Sequence, residues 1–231
     1  MQKLLVVFLS CVAAVLAQTW VQRATVTDHV NYIRSVMEEV VQELEEFGWS
    51  NLKLDDVHQN ISAQMYKWTV KGKVHYFNGY LVSMQKVDLT TITQSVGRRT
   101  VDGVQIPFAS VSSQLIFRNP KLGYDLISDI EGIGVQRSTG EMTLPTITIA
   151  STVQKQLDNG EISVLSMRIN NGGGLIRMIY HPASNVTEVL SRNFFPYTFD
   201  FSNWVPIIEP MLLNVIKNKI PFPDVCYLNC T

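Results

Sequence analysis

The sequence has little charge and no excess of either sign. Only 17% of its 231 residues are charged, and 19 basic against 20 acidic residues give a net charge of −1 at pH 7. Such a balance provides no overall field to attract DNA, RNA or an anionic membrane. The 46% of hydrophobic residues also excludes a disordered chain, which combines low hydrophobicity with high net charge. We therefore expect a compact protein without a nucleic-acid partner.

Motifs of the common catalytic sites are also missing. The sequence contains no G-x-S-x-G nucleophile elbow, no H-E-x-x-H metal site and no phosphate-binding loop ending in Gly-Lys-Ser/Thr. The three glycines over 172–174 could cradle a phosphate, but a turn between a strand and a helix explains them more simply. We expect no catalytic residue, no cofactor and no metal ion, and hence no enzyme.

Only the start of the chain carries a long hydrophobic run. It combines Lys3, an apolar stretch over 4–15 and the small residues Val15 and Ala17. This is the pattern of a secretory signal peptide, and the run is shorter than the about 20 residues of a membrane span, which makes an anchor the weaker alternative. We expect a signal peptide over 1–17, a single secreted, extracellular domain over 18–231 and no integral membrane span.

Secretion makes the few cysteines and the sequons interpretable. Of three cysteines, Cys11 lies in the predicted signal peptide, which leaves Cys226 and Cys230. In an oxidising compartment we expect a disulfide loop between these two, since a metal site would need further ligands at suitable spacing. Asn60 and Asn185 each begin an N-x-[ST] sequon, and we expect both to be glycosylated surface positions.

Residues 27–47 show the clearest periodic pattern. On a helical wheel their apolar residues fall within one arc of about 140°, with charged residues opposite. Thr27 is expected to cap this helix and Gly48 to end it. The apolar arc consists of Val30, Ile33, Met37, Val40, Val41 and Leu44. This predicts a long N-terminal helix that lies on an apolar surface.

The middle of the chain is rich in β-branched and aromatic residues. Candidate strands cover about 61–71, 73–86, 104–117, 121–130, 145–157 and 161–170. They are long, a turn is expected at Gly72, and no helical crossover separates them, so the sheet should be antiparallel. The apolar phase changes after Met65 and after Val164, which predicts bulges or a strong curl. We expect a long curved sheet wrapped around the first helix.

Two further helices are expected near the C-terminus. One falls within 182–195, and another starts at Pro206 or Pro210 and runs to about Ile220. The second is apolar over more than half of its circumference, so it should be buried on most sides. The predicted fold class is α+β: a long curved antiparallel sheet around the N-terminal helix, closed by C-terminal helices.

The apolar residues exceed those needed for a minimal core. They include eight methionines, whose flexible side chains can line a variable cavity. Packing of the core alone could account for these residues. The alternative is that they line an apolar tunnel between helix and sheet, which binds a hydrophobic small molecule or lipid. The expected lining residues are Val30, Ile33, Met37, Val40, Leu44, Met178, Leu190, Phe194, Ile208, Met211, Leu212 and Val215.

One segment resembles the paired strands with a glycine turn of the group 7 mite-allergen family. It reads WTVKGKVHYFNGY from Trp68 to Tyr80 and continues to Val87. This arthropod family belongs to the lipid-binding superfamily of bactericidal/permeability-increasing protein. The resemblance implies a curved sheet around a long helix and the binding or transport of a lipid. The family offers no catalytic residues to transfer.

One alternative function stays open. The chain could be a secreted interaction protein with a solid core that recognises a microbial surface or a protein partner. A packed space between helix and sheet would favour this alternative, and an apolar cavity would favour a ligand carrier.

Overall fold

The computed structural model describes residues 24–65, 68–173, 177–193 and 200–227. The predicted signal peptide, Phe194 and Cys230 lie outside these residues. Within them the protein is α+β and rich in antiparallel sheet, as the sequence predicts.

Strands make up most of the described chain. They are β1 (Ala24–Val26), β2 (Val57–Met65), β3 (Trp68–Ser83), β4 (Lys86–Val101), β5 (Val104–Arg118), β6 (Lys121–Ile130), β7 (Gly134–Thr143), β8 (Thr146–Gln156), β9 (Ile162–Gly172), β10 (Arg177–His181) and β11 (Val225–Tyr227). The helices are α1 (His29–Phe47), α2 (Asn185–Asn193) and α3 (Val205–Asn214), and α3 continues as a π-helical turn over Val215–Lys219. Single 3₁₀ turns cover Trp49–Asn51 and Ser202–Trp204.

The strands form two antiparallel sheets whose orders match when one of them is reversed, so that β9, β8, β5 and β4 correspond to β10, β7, β6 and β3. The five-stranded sheet runs β10-β7-β6-β3-β2, and the four-stranded sheet runs β4-β5-β8-β9. The chain passes between the sheets four times, from β3 to β4, β5 to β6, β7 to β8 and β9 to β10. In each of these four connections, the strand before and the strand after it hold the same place in the order of their sheets. The two sheets therefore correspond to four long strands, each interrupted at the boundary between the sheets. Strands β1 and β11 form a separate pair.

Backbone hydrogen bonds continue across this break. The Asn119 N–H donates to the Pro145 carbonyl at 3.1 Å, and the Leu144 N–H donates to the Pro120 carbonyl at 3.0 Å. Proline has no backbone N–H to donate to a neighbouring strand. Pro120, between β5 and β6, and Pro145, between β7 and β8, therefore suit positions where the strands are interrupted. The Asn119-Pro120 pair therefore marks a passage between sheets rather than a hairpin.

Helix α1 packs against β4, β5 and α3. Its buried face contains Ile33, Val36, Val40 and Leu44, each with at most 1% exposure. The helix ends at Gly48, whose φ of 91° suits glycine, as predicted. The predicted cap is wrong by one residue, because Asp28, with φ of 47°, precedes the first helical residue.

The predicted turn at Gly72 is wrong. Gly72 lies inside β3, paired with Ile61 on one side and Ile130 on the other. A Cβ at this position would come within 2.2 Å of the Asp129 carbonyl oxygen, so glycine allows two strands to approach closely here. The hairpin reversal instead falls between Met65 and Trp68, which are register partners. It accounts for the phase change after Met65 without a bulge.

The second predicted phase change is a bulge. Thr152 pairs with Ser166 and Val153 with Val164, which leaves Leu165 between them and 53% exposed. Five strands, β1, β4, β7, β10 and β11, are missing from the predicted set. In β4 the register shifts between Thr90 and Thr93. The apolar positions therefore change phase within a polar segment, and the sequence shows no continuous alternation of apolar and polar residues there.

The C-terminal helices lie close to their predicted positions. Helix α3 begins one residue before Pro206 and includes Pro210 in its interior. Ile208, Leu212, Val215 and Ile216 are buried, whereas Met211 is only half-buried. The helix is therefore buried on one broad face rather than on most sides.

Candidate functional site

The space between α1 and the sheet is largely filled by side chains. Ile33, Val40 and Leu44 of α1 belong to one continuous core with Ile208, Leu212 and Val215 of the α3 segment. These six predicted lining residues therefore pack against protein. Val30, predicted to line a tunnel, is the second residue of α1 and is 38% exposed.

A small groove remains at the outer edge of α1. It has a volume of about 360 Å³ and lies between α1 and the strands β4 and β5. Met37 and Val41 supply apolar surface, while Arg34, Glu38 and Asp88 make the groove partly polar. Hydrogen bonds from Lys86 and then Arg118 hold the pKa of Asp88 below its usual value. Val87, Leu89 and Leu115 also line the groove, but three charged side chains in its wall suit an apolar ligand poorly.

A larger, half-open cavity lies beside helix α2. Its volume is about 610 Å³, and it is bordered by the start of β3, the β6–β7 turn and helix α2. We call it the α2 cavity. Its apolar wall consists of Val70, Ile130, Ile133, Val186, Val189 and Leu190, and its polar rim includes Thr69, Glu131, Asn185, Glu188 and Arg192.

A reciprocal cap fixes the start of α2. The Ser184 hydroxyl accepts a hydrogen bond from the Thr187 N–H at 3.1 Å, and the Thr187 hydroxyl accepts one from the Ser184 N–H at 2.7 Å. Two N–H groups near the helix start are thereby satisfied. The spacing of Val186, Val189 and Leu190 then places all three on the cavity face.

The opposite wall depends on the β6–β7 turn. Gly132 and Gly134 have φ values of 79° and 90°, which other residues rarely adopt. The Glu131 N–H donates to the Lys71 carbonyl at 2.9 Å and ties the turn to β3. The turn leaves Ile133 54% exposed beside the cavity. The mouth therefore combines an exposed apolar side chain with charged groups.

Charges at the cavity lie on its rim rather than in its wall. Arg192 donates a hydrogen bond to the Glu188 carboxylate one turn earlier on α2, and both side chains are more than half exposed. An exposed pair of this kind contributes little to stability. A cavity with an apolar wall and a polar rim can bind the hydrophobic part of an amphiphilic molecule while the polar end of that molecule stays in water.

One predicted lining residue, Leu190, lines the α2 cavity. Met178 is buried on β10, Phe194 lies outside the described residues, and Met37 lines the smaller groove instead. Val70 and the β6–β7 turn were not predicted from the sequence pattern. The alternation Gly132-Ile133-Gly134 could have indicated that turn, since paired glycines commonly mark a chain reversal.

The predicted modification sites lie on different elements. Asn60 is exposed on β2, and Asn185 is exposed at the rim of the α2 cavity. Cys226 of β11 is disulfide-bonded, while its predicted partner Cys230 lies outside the described residues, so this pairing stays a prediction.

Two other kinds of feature are absent from the described chain. No helix among residues 24–65, 68–173, 177–193 and 200–227 is both long and apolar enough to cross a membrane. No group of three His, Cys, Asp or Glu side chains in the same residues could hold a metal ion.

No protein-family model matches the chain. No curated protein is significantly similar to it either.

Proposed function

We propose that this chain is a secreted, non-enzymatic protein that binds or carries a lipid or another hydrophobic small molecule. The observation that carries the proposal is the α2 cavity, with about 610 Å³ of space, an apolar wall and a polar rim. Ligand cavities in proteins usually have volumes of roughly 300–1,000 Å³ and mostly apolar walls. The proposed site therefore lies between α2 and the β6–β7 turn rather than in a tunnel beside α1.

Burial of an alkyl chain favours binding at such a site. Each buried methylene group contributes about 0.8 kcal/mol, so a chain with about ten buried methylenes gains roughly 8 kcal/mol. The loss of translational and rotational freedom costs about 4–15 kcal/mol, so this gain offsets the cost towards the lower end of that range.

We also propose that the fold is a sheet wrapped around α1 and that the chain is related to the group 7 mite-allergen family. The long strands broken at a common level support this proposal, as do the four α1 residues that are at most 1% exposed. The family's lipid binding agrees with a cavity whose wall is apolar.

Two measurements on one preparation test the ligand-carrier proposal. The protein is purified without detergent, extracted with organic solvent, and the extract is analysed by mass spectrometry. A second, unextracted portion of the protein is titrated with the neutral apolar probe N-phenyl-1-naphthylamine and with a fluorescent fatty acid. We expect a co-purified amphiphile or saturable probe fluorescence. An empty protein that binds neither probe would contradict the proposal.

The packed core beside α1 favours a second candidate, a secreted interaction protein. The tip of the β4–β5 hairpin exposes Val101 (39%) and Val104 (63%), which gives such a protein an apolar contact point. Binding to intact microbial cells that is lost in Val104→Ser, without uptake of either probe, would favour this candidate over a carrier.

A further inference from the structure

We infer that Asn185 carries an N-linked glycan that stands at the mouth of the α2 cavity and slows the entry and exit of its ligand. This inference rests on the proposed function, including secretion. It starts from one coincidence: the asparagine of a sequon is also a rim residue of the larger cavity. Asn60, the other sequon asparagine within the described chain, is not among the residues that line this cavity.

The fold determines when the modification takes place. Thr187, the hydroxyl residue of the sequon, is 6% exposed, and its hydroxyl donates to the Ser184 carbonyl at 3.0 Å while accepting from the Ser184 N–H. A sequon is defined by its asparagine together with this hydroxyl residue. Because the folded helix buries the hydroxyl, Asn185 is modified on the unfolded chain, before α2 forms.

The chemistry needs a sugar donor that a secretory compartment supplies. The side-chain nitrogen of Asn185 forms a bond to the anomeric carbon of an oligosaccharide carried on a lipid-linked diphosphate. The bond between that carbon and the diphosphate oxygen breaks, the diphosphate leaves, and the amide nitrogen loses one proton. No oxidant or reductant is required.

Folding then places the sugar in front of the cavity. Asn185 is the first residue of α2 and is exposed, whereas the next residue, Val186, is 4% exposed in the cavity wall. The glycan cannot enter an apolar cavity without losing its hydration, so it extends over the mouth. There it hinders the path of a ligand in both directions but makes no contact with the apolar wall. A barrier of this kind changes rates rather than affinity.

The cap of α2 remains intact beneath the glycan. Ser184 and Thr187 make the reciprocal cap through their hydroxyls and N–H groups, and the Asn185 side chain takes no part in these bonds. Replacing Asn185 by glutamine therefore removes the glycan and leaves the helix start unchanged. Asn60→Gln provides a matched control, because it removes a sequon on β2 outside the cavity lining.

Stopped-flow binding of N-phenyl-1-naphthylamine tests the inference. Wild type, Asn185→Gln and Asn60→Gln are secreted from a glycosylating animal cell line, and mass spectrometry establishes which asparagines are modified. We expect Asn185→Gln to bind and release the probe at least about threefold faster, and the glycan-trimmed wild type to do so with an unchanged ratio of the two rates. Asn60→Gln should keep the wild-type rates. Trimming the folded glycoprotein to a single sugar with an endoglycosidase should accelerate both rates without any substitution.

Each other outcome overturns the inference. An unmodified Asn185 in the secreted protein contradicts it, as do equal rates for wild type and Asn185→Gln, or equal acceleration by Asn60→Gln. These three results leave probe binding, and hence the proposed function, intact. Failure of every form to bind any probe would instead contradict both the carrier and its glycan barrier.

Discussion

The hydroxyl oxygens of Tyr76 and Tyr180 lie 3.2 Å apart inside the core, although 104 positions separate the two residues in the chain. Tyr76 is on β3 and Tyr180 on β10, with β6 and β7 between these strands in the sheet. Three strand spacings correspond to about 14 Å, so both side chains must lean over the intervening strands. Gly140 of β7 lies beneath this region, where a Cβ would come within 2.6 Å of Met178 Cε and 3.3 Å of the Tyr180 ring.

This contact predicts a difference between two tyrosine substitutions. Tyr76→Phe removes one partner of a buried hydrogen bond and should lower the free energy of unfolding by about 1–3 kcal/mol. Tyr32→Phe should be neutral or stabilising, because the buried Tyr32 hydroxyl has no hydrogen-bond partner among the described residues. Urea unfolding measures both. A double-mutant cycle of Tyr76→Phe with Tyr180→Phe should give a coupling of about 0.5–1.5 kcal/mol, and additive effects would contradict the contact.

Buried tyrosines also predict a loss of stability at alkaline pH. Burial raises the pKa of Tyr76 from 10.0 to about 12, and burial likewise raises the pKa values of Tyr32, Tyr124 and Tyr180. Between pH 10 and 12 the unfolded chain therefore binds fewer protons than the folded protein, so the free energy of unfolding falls as pH rises. Urea midpoints measured across this range should decrease steadily. A constant midpoint up to pH 12 would be inconsistent with tyrosines buried in this way.

The close approach at Gly72 predicts a strong position dependence for alanine. Gly72→Ala brings a Cβ within 2.2 Å of the Asp129 carbonyl oxygen and should destabilise the protein by about 1–3 kcal/mol or more. Gly97→Ala is the matched control, since its nearest neighbour, the Phe108 ring, lies at 3.6 Å. Comparing the thermal unfolding midpoints of the two variants separates the steric clash at Gly72 from the general effect of replacing a strand glycine by alanine. Equal midpoints would place Gly72 in a turn, as the sequence first indicates.

The reciprocal cap predicts that Ser184 stabilises the cavity wall. Ser184→Ala removes the acceptor for the Thr187 N–H and should lower the free energy of unfolding by about 1 kcal/mol. Ser191→Ala is the control, because that hydroxyl is exposed and bonds only the Glu188 carbonyl on the same helix. Hydrogen exchange should show faster exchange at the Thr187 amide in Ser184→Ala alone. Unchanged exchange there would show that the cap does not hold the helix start.

The elements with strong apolar periodicity could be predicted from the sequence. Helix α1 agrees with its pattern because one face is almost fully buried, including Val36 and Leu44 at 0% exposure. The bulge at Leu165 follows from the change of phase in β9. Strand β4 could not be found, since its register shifts between Thr90 and Thr93 and polar residues occupy much of its length.

The location of the cavity depends on contacts between distant segments. Val70 and Val186 are 116 positions apart, and only the assembled sheet brings both to one cavity wall. Single residues such as Leu190 could be proposed as lining from helix faces. The sequence pattern could not show that the face of α1 is filled while the face of α2 borders a cavity, because an apolar face has the same composition in both cases.

The most direct test of the ligand-carrier account is an equilibrium titration of three forms with N-phenyl-1-naphthylamine. Val70→Phe places a larger side chain in the wall of the α2 cavity, and Val41→Phe makes the same change in the groove beside α1. Circular dichroism melts first establish that both variants fold. The account predicts that Val70→Phe weakens probe binding at least about tenfold, or about 1.4 kcal/mol, while Val41→Phe binds like wild type. Unchanged affinity in Val70→Phe, or a loss confined to Val41→Phe, would contradict a binding site in the α2 cavity.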